Sequence, residues 1–222
     1  MIVEKIDKFY GNKKDRQDSF IHISGASKCQ RQLYYDLTIK KESDIEPRVR
    51  RIFDNGNSVH QRLMRVLYQL EDIRVIASEV AIPENPNIRG TCDAMIAIEN
   101  SNYVIDFKSI NSSSFGYLDV PKIDHKIQLL LYMYFFGVER GIILYENKDN
   151  QELKEFEISK KENEELILEV FEKLNYVRDC VKDKILPNKP VFLEDDQWRC
   201  NYCSYKSECE KNFNVEKDEI AE

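Results

Sequence analysis

The sequence predicts an α/β fold: a central mixed sheet flanked by helices, with both ends of the chain building something extra. Three observations predict it. Three strand-like runs sit in mid-chain, "IRVIASEVAIP", "RGTCDAMIAIEN" and "NYVIDFKSI", and two more, "RGIILYEN" and "ELKEFEIS", come later. Between the two groups stands "KIDHKIQLLLYMYFFG", which reads as a deeply buried helix ended by Gly137. The cysteines are unevenly placed, with Cys29 alone near the start and Cys200, Cys203 and Cys209 crowding the end.

Taken in order, "SFIHISGASKCQRQLYYDL" reads as a short extended piece, a Ser/Gly helix-start signal, and a helix carrying Cys29, Leu33 and Tyr34. "FDNGNSVHQRLMRVLYQLED" predicts a second helix, with Asn/Ser capping before Val59 and an apolar stripe at Val59, Leu63, Val66, Leu67 and Leu70. The second and third strands form a hairpin that turns at Asn100–Ser101. After the last strands, "KKENEELILEVFEKLNYVRDCVKDKI" is a long amphipathic helix with Leu166, Val170, Leu174 and Val177 inward. From Leu186 the texture becomes Pro-rich loop, then the cysteine cluster, then an acidic tail. The division expected is 1–55, a helical part with one cysteine; 56–185, the sheet-bearing core; and 186–222, the cysteine segment and tail.

The 222 residues, 42% hydrophobic and 33% charged, suffice for one sizeable core or a core plus a small appendage. "MIVEKIDKFYGNKKDRQD" is too charged for a signal peptide, and no apolar run approaches the ~20 residues of a membrane span. The expected compartment is the cytoplasm. A formal charge of -7 argues against non-specific coating of nucleic acid, though not against a local grip on a strand. The basic clusters at Lys28/Arg31, Arg48/Arg50/Arg51 and Lys122/Lys126 read as solvated surface.

In "NYVIDFKSI", Asp106 and Lys108 stand two residues apart, so a strand points both to one face. A turn at Asn100–Ser101 makes antiparallel partners sum to about 201. That places Asp93 opposite Lys108 and Asp106 opposite Met95, with all three charged groups on one face. Two neighbouring carboxylates repel unless a cation lies between them, and hard oxygen ligands suit Mg²⁺ or Mn²⁺. A lysine beside such an ion can orient a water and stabilise developing phosphate charge. A cross-strand Asp93–Lys108 salt bridge with Asp106 solvated explains the hairpin alone equally well.

Further segments extend the pattern. "GTCD" followed by "DFK" resembles the core of the PD-(D/E)XK nucleases, with Asp93 as the first acid and Asp106-Phe107-Lys108 as the second element. His60, after "GNSV", matches the added histidine of the RecB-like branch, and Gln128 and Tyr132 in "QLLLY" resemble its QxxxY motif. The resemblance implies that His60, Asp93, Asp106 and the carbonyl of Phe107 hold Mn²⁺ or Mg²⁺. It implies too that Lys108 serves the attacking water, Gln128 positions Lys108 or the scissile phosphate, and Tyr132 contacts the DNA backbone. Glu79 reads as a surface glutamate, with a second-metal ligand as the alternative. His125 and His22 match no motif and read as surface.

"WRCNYCSYKSEC" spaces its cysteines as C-x₂-C-x₅-C, and Cys29 is the natural fourth donor for a four-coordinate soft-metal site. This is similar to the CRISPR-associated RecB-like exonucleases and their AddB-type relatives, in which one cysteine before the core and three after it hold a 4Fe–4S cluster. The resemblance spans Cys29 to Cys209, and zinc on the same four thiols is the rival. Cys92 and Cys180 read as ordinary buried thiols, Cys92 facing away from Asp93. The function implied is metal-dependent exonucleolytic hydrolysis of single-stranded DNA ends, in CRISPR adaptation beside an integrase partner or in recombination and repair. The alternatives are a non-catalytic DNA-end-binding or partner-docking module and a zinc-stapled phage or mobile-element endonuclease with the same core. Tyr34, Tyr35 and Trp198 are assigned no role.

Overall fold

The computed structural model describes residues 1–12, 19–39, 45–188 and 198–211; the acidic tail and the Trp198 side chain lie outside the described residues. In chain order the elements are α1 (Ile2–Gly11), β1 (Ile21–His22), α2 (Gln30–Thr38), α3 (Pro47–Leu67), β2 (Ile73–Ala81), β3 (Ile88–Arg89) and β4 (Thr91–Ile98). They continue with β5 (Ser101–Ile110), α4 (Ser112–Gly116), α5 (Ile123–Phe136), β6 (Arg140–Asn147), β7 (Leu153–Ser159), α6 (Glu164–Asp183) and α7 (Trp198–Asn201). The chain divides into two units, one of Met1–Ser27 with Lys41–Val170 and one of Lys28–Lys40 with Phe171–Glu222. No helix among the described residues is long and apolar enough to cross a membrane.

The first unit holds a mixed five-stranded sheet in the order β2-β4-β5-β6-β7. Within this sheet only β5 and β6 run parallel, and α4 and α5 make the crossover that such a pair requires; β1 and β3 form a separate short parallel pair. β5 is the central strand, with Tyr103 through Phe107 all buried, as expected of a strand covered on both faces. On one face Val59, Leu63, Met64 and Leu67 of α3 pack on Ala94, Ile96, Tyr103, Ile105 and Phe107. α5 is apolar around most of its circumference and is accordingly buried, from Ile127 through Met133 except Gln128. Its C-cap is Gly137 at φ 65, the left-handed stop expected of it. At Gly141 of β6 an added Cβ would meet Met133 Sδ at 2.6 Å and Leu129 Cδ2 at 2.9 Å, so α5 lies close on the sheet there.

The five expected strands and the buried helix are present, and three details differ. The hairpin turns at Glu99–Asn100, with Ile98 opposite Ser101 and Ala94 opposite Ile105, so partners sum to 199 rather than 201. No glycine marks this turn: Glu99 itself takes the left-handed conformation, φ 51, that a two-residue hairpin needs at its first central position. A slip of two residues leaves every side chain on its expected face. α3 begins at Pro47 and runs through Gly56 without a break, and Ser58 Oγ bonds back to the Asp54 carbonyl at 3.1 Å instead of capping. Met64 rather than Val66 completes its buried stripe; Val66 and Leu70 are exposed. The N-terminal stretch forms α1, held to α3 by Arg51–Asp7 at 2.5 Å and Tyr10–Asp54 at 2.8 Å.

In the second unit Cys29 is the N-cap residue of α2 rather than part of the helix. Arg31, read as solvated, is 2% exposed: its Nε donates to the Pro187 carbonyl at 2.7 Å.

Candidate functional site

Two lines of polar contacts meet at residues 106–108 of β5. The regular ladder between β4 and β5 stops at Ala94–Ile105. Beyond it the Asp93 side chain takes over: its Oδ2 accepts the Phe107 N–H at 2.7 Å, and its Oδ1 lies 3.2 Å from His60 Nδ1. The His60 ring stands edge-on to Phe107 with centroids 5.7 Å apart. Burial lowers the His60 pKa, but the bond to Asp93 and its charge outweigh that and leave it raised.

The second line runs into α5. Asp106 is 2% exposed and its Oδ2 lies 2.7 Å from Lys108 Nζ, yet no donor among the described residues is aligned to hydrogen-bond that oxygen. Burial raises the Asp106 pKa; Lys108 opposes and the Asp93 charge adds to it. Lys108 Nζ donates to Gln128 Oε1 at 2.9 Å; one turn further along α5, burial raises the Tyr132 pKa and Gln128 opposes the rise. Tyr132, expected to contact the DNA backbone, is 2% exposed. A Cβ on Gly90 of "GTCD" would come within 3.0 Å of Tyr132 Cε1 and 2.8 Å of Ile23 Cδ1, which explains the glycine.

The salt bridge weighed for the hairpin was Asp93–Lys108; the one present is Asp106–Lys108. Among the described residues no three His, Cys, Asp or Glu side chains, the four clustered cysteines included, converge closely enough to form a metal site as they stand; His60 pairs with Asp93 and Asp106 with Lys108. The donor set nonetheless fits a hard divalent cation. Asp106 presents an oxygen without an aligned donor, Asp93 and Asp106 are close enough to raise one carboxyl's pKa, and His60 adjoins them.

Glu79 is exposed, as expected, but with φ 52 it holds a strained left-handed backbone between the pairs Ser78–Ala94 and Val80–Cys92, opposite Asp93. His22 is exposed. His125 is not a surface residue: it is half-buried and its Nδ1 lies 2.8 Å from the Tyr145 hydroxyl. The sequence signal for it was its spacing, one turn before Gln128 on α5. Glu146, unremarked in the sequence, is 2% exposed with both carboxylate oxygens 2.5 Å from Arg62 Nη2.

Cys29, Cys200, Cys203 and Cys209 all belong to the second unit, are free and half-buried, and feel one another's charge. Burial raises the pKa of Cys29 and of Cys203. Arg31 Nη1 reaches Cys209 Sγ at 3.7 Å. Cys92 and Cys180 are buried, and burial pushes the Cys92 thiol up to about 12.

An acid at the end of one strand, a second acid and a lysine on its neighbour, and a Gln–Tyr pair on the crossover helix define a class of protein. The chain belongs to the PD-(D/E)XK nuclease superfamily, whose family model matches residues 57–210. It is 27% identical over 202 residues to the CRISPR-associated exonuclease Cas4 of Saccharolobus solfataricus strain P2, spanning 87% of this chain and 89% of that one. The crystal structure of SSO0001 superposes with a TM-score of 0.60 at 24% identity over 93% of this chain and 95% of that one. An alkaline exonuclease from Laribacter hongkongensis gives a TM-score of 0.56 at 13% identity over 82% and 93%. The two structural likenesses establish the fold.

Proposed function

We propose that this protein is a divalent-metal-dependent DNA exonuclease that hydrolyses phosphodiester bonds at single-stranded ends. The observation that carries the reading is Lys108, whose ammonium lies 2.7 Å from buried Asp106 and is fixed by Gln128 at 2.9 Å. An amine held this firmly beside two acids is preorganised to orient a water and to meet negative charge as it grows on a phosphate. Gln128, accepting from the ammonium, removes rotational freedom that Lys108 would otherwise have. His60, Asp93, Asp106 and the Phe107 carbonyl would hold the Mn²⁺ or Mg²⁺ ion, which when bound acts as a Lewis acid on the phosphoryl oxygen and lowers the pKa of its water. The exonuclease assignment draws on the names of the Saccharolobus and Laribacter relatives. Trimming of DNA ends in CRISPR adaptation, beside an integrase, is the role the first of these suggests.

Cys29, Cys200, Cys203 and Cys209 would hold a 4Fe–4S cluster as a staple between the two ends of the chain. Support comes from their common unit and mutual electrostatic influence, and from Arg31, whose buried cation beside Cys209 offsets the negative charge of four thiolates.

The test is Mn²⁺-dependent digestion of end-labelled single-stranded DNA by wild type and by Lys108→Ala, with thermal unfolding run in parallel. The variant should keep its fold and lose activity by about 10²-fold or more; undiminished digestion would end the proposal. Circular single-stranded DNA should survive, and its cleavage would contradict the exonuclease assignment.

A further inference from the structure

The face of α5 that carries Gln128 and Tyr132 has a third member. His125 stands three residues before Gln128 and seven before Tyr132, spacings that set all three on one helical stripe. Its ring lies tilted against the Tyr145 ring, centroids 5.5 Å apart, with Nδ1 2.8 Å from the hydroxyl. Tyr145 is fully buried, and its hydroxyl also accepts the backbone N–H of Lys122 at 3.1 Å. That hydroxyl has one proton to donate, and among the described residues His125 Nδ1 is the acceptor within its reach. Nδ1 therefore keeps its lone pair, and the single proton of the neutral ring sits on Nε2. The ring stays neutral because burial, first, and the charges of Lys108 and Lys122 push its pKa down to about 3, with Asp124 opposing only in part. Tyr145 is the register partner of Lys108 across the parallel β5–β6 pair, and that sets the ring packed on it beside the reaction centre. Nε2 has no acceptor among the described residues.

We propose that His125 Nε2–H donates a hydrogen bond to a backbone phosphate of the bound strand beside the scissile one. The inference rests on the nuclease reading above. The relay from the Lys122 N–H through Tyr145 fixes which ring nitrogen carries the proton, so the contact is a directed, uncharged donor. A lysine at such a position would release a counterion on binding; a neutral imidazole does not.

The two kinds of contact are separated by the salt dependence of binding. The full chain is titrated with a short single-stranded oligonucleotide in Ca²⁺, at several salt concentrations, for wild type, His125→Phe and His125→Gln. Loss of one hydrogen bond to a charged acceptor should weaken binding by His125→Phe about tenfold or more. The slope of log affinity against log salt should match wild type, and His125→Gln, whose amide N–H reaches the place of Nε2, should recover most of the affinity. Should His125→Phe fail to fold in thermal unfolding, Tyr145→Phe, which frees the tautomer, should bind several-fold more weakly than wild type. Wild-type affinity in the folded variants, or a slope shallower by about 0.7, would overturn the proposal. A wild type that neither binds nor digests DNA would end the nuclease reading as well; one that does both beside an indistinguishable His125→Phe ends this inference alone.

Discussion

Asp93 Oδ2 accepts the backbone N–H of Phe107 at 2.7 Å, just where the ladder between β4 and β5 has stopped. The carboxylate thus does the work of a strand carbonyl while remaining an acid at the site. Asp93→Asn keeps an acceptor for that N–H and should stay within about 1 kcal/mol of wild type, whereas Asp93→Ala leaves the N–H unpaired and should cost about 1–3 kcal/mol. Both should lose the rise in melting temperature that Mn²⁺ gives the wild type. Melting curves with and without Mn²⁺ check both statements.

His125 sets a pH dependence of stability. The unfolded chain takes up a proton near pH 6.5, while the native ring resists until about 3. Its contribution is therefore full above pH 6.5 and falls as the pH drops below, by about 1.4 kcal/mol per pH unit. Chemical denaturation from pH 6.5 to 4 should show His125→Gln gaining on wild type with that slope. Parallel curves would mean the native ring takes up its proton normally.

The contact of α5 with β6 makes Gly141 intolerant of a side chain. Gly141→Ala would put a Cβ 2.6 Å from Met133 Sδ and 2.9 Å from Leu129 Cδ2. A cost of about 1–3 kcal/mol is expected in chemical denaturation, with activity reduced as Gln128 shifts with its helix. Gly56, with nothing within 4 Å of an added Cβ, is the control: Gly56→Ala should stabilise α3 by up to about 1 kcal/mol.

Anaerobically purified protein should be brown, with broad absorbance near 400 nm that Cys203→Ala abolishes. A colourless protein holding one zinc per chain would assign the four thiols to zinc instead.

The strands, α5 with its Gly137 stop, and α6 were legible because each carries its own periodicity or turn chemistry. The clustering of His60, Asp93, Asp106, Lys108 and Gln128 was legible because their motifs follow in order along one unit. The hairpin register was not: Glu99, with no glycine beside it, adopts the left-handed conformation, and nothing local distinguishes Asn100–Ser101 from Glu99–Asn100 as the turn. Arg31 looked solvated because its acceptor, the Pro187 carbonyl, lies 156 positions away. His125 looked like surface because Tyr145, which fixes its tautomer, comes from β6 and no local pattern joins the two.

The central claim is that His60, Asp93 and Asp106 share one divalent ion beside Lys108. Anomalous diffraction from crystals soaked in Mn²⁺ tests it most directly. A single manganese peak about 2.0–2.3 Å from a nitrogen of His60 and from an oxygen of each aspartate is the predicted result. A peak elsewhere, or none while His60 still pairs with Asp93 and Lys108 with Asp106, would contradict it.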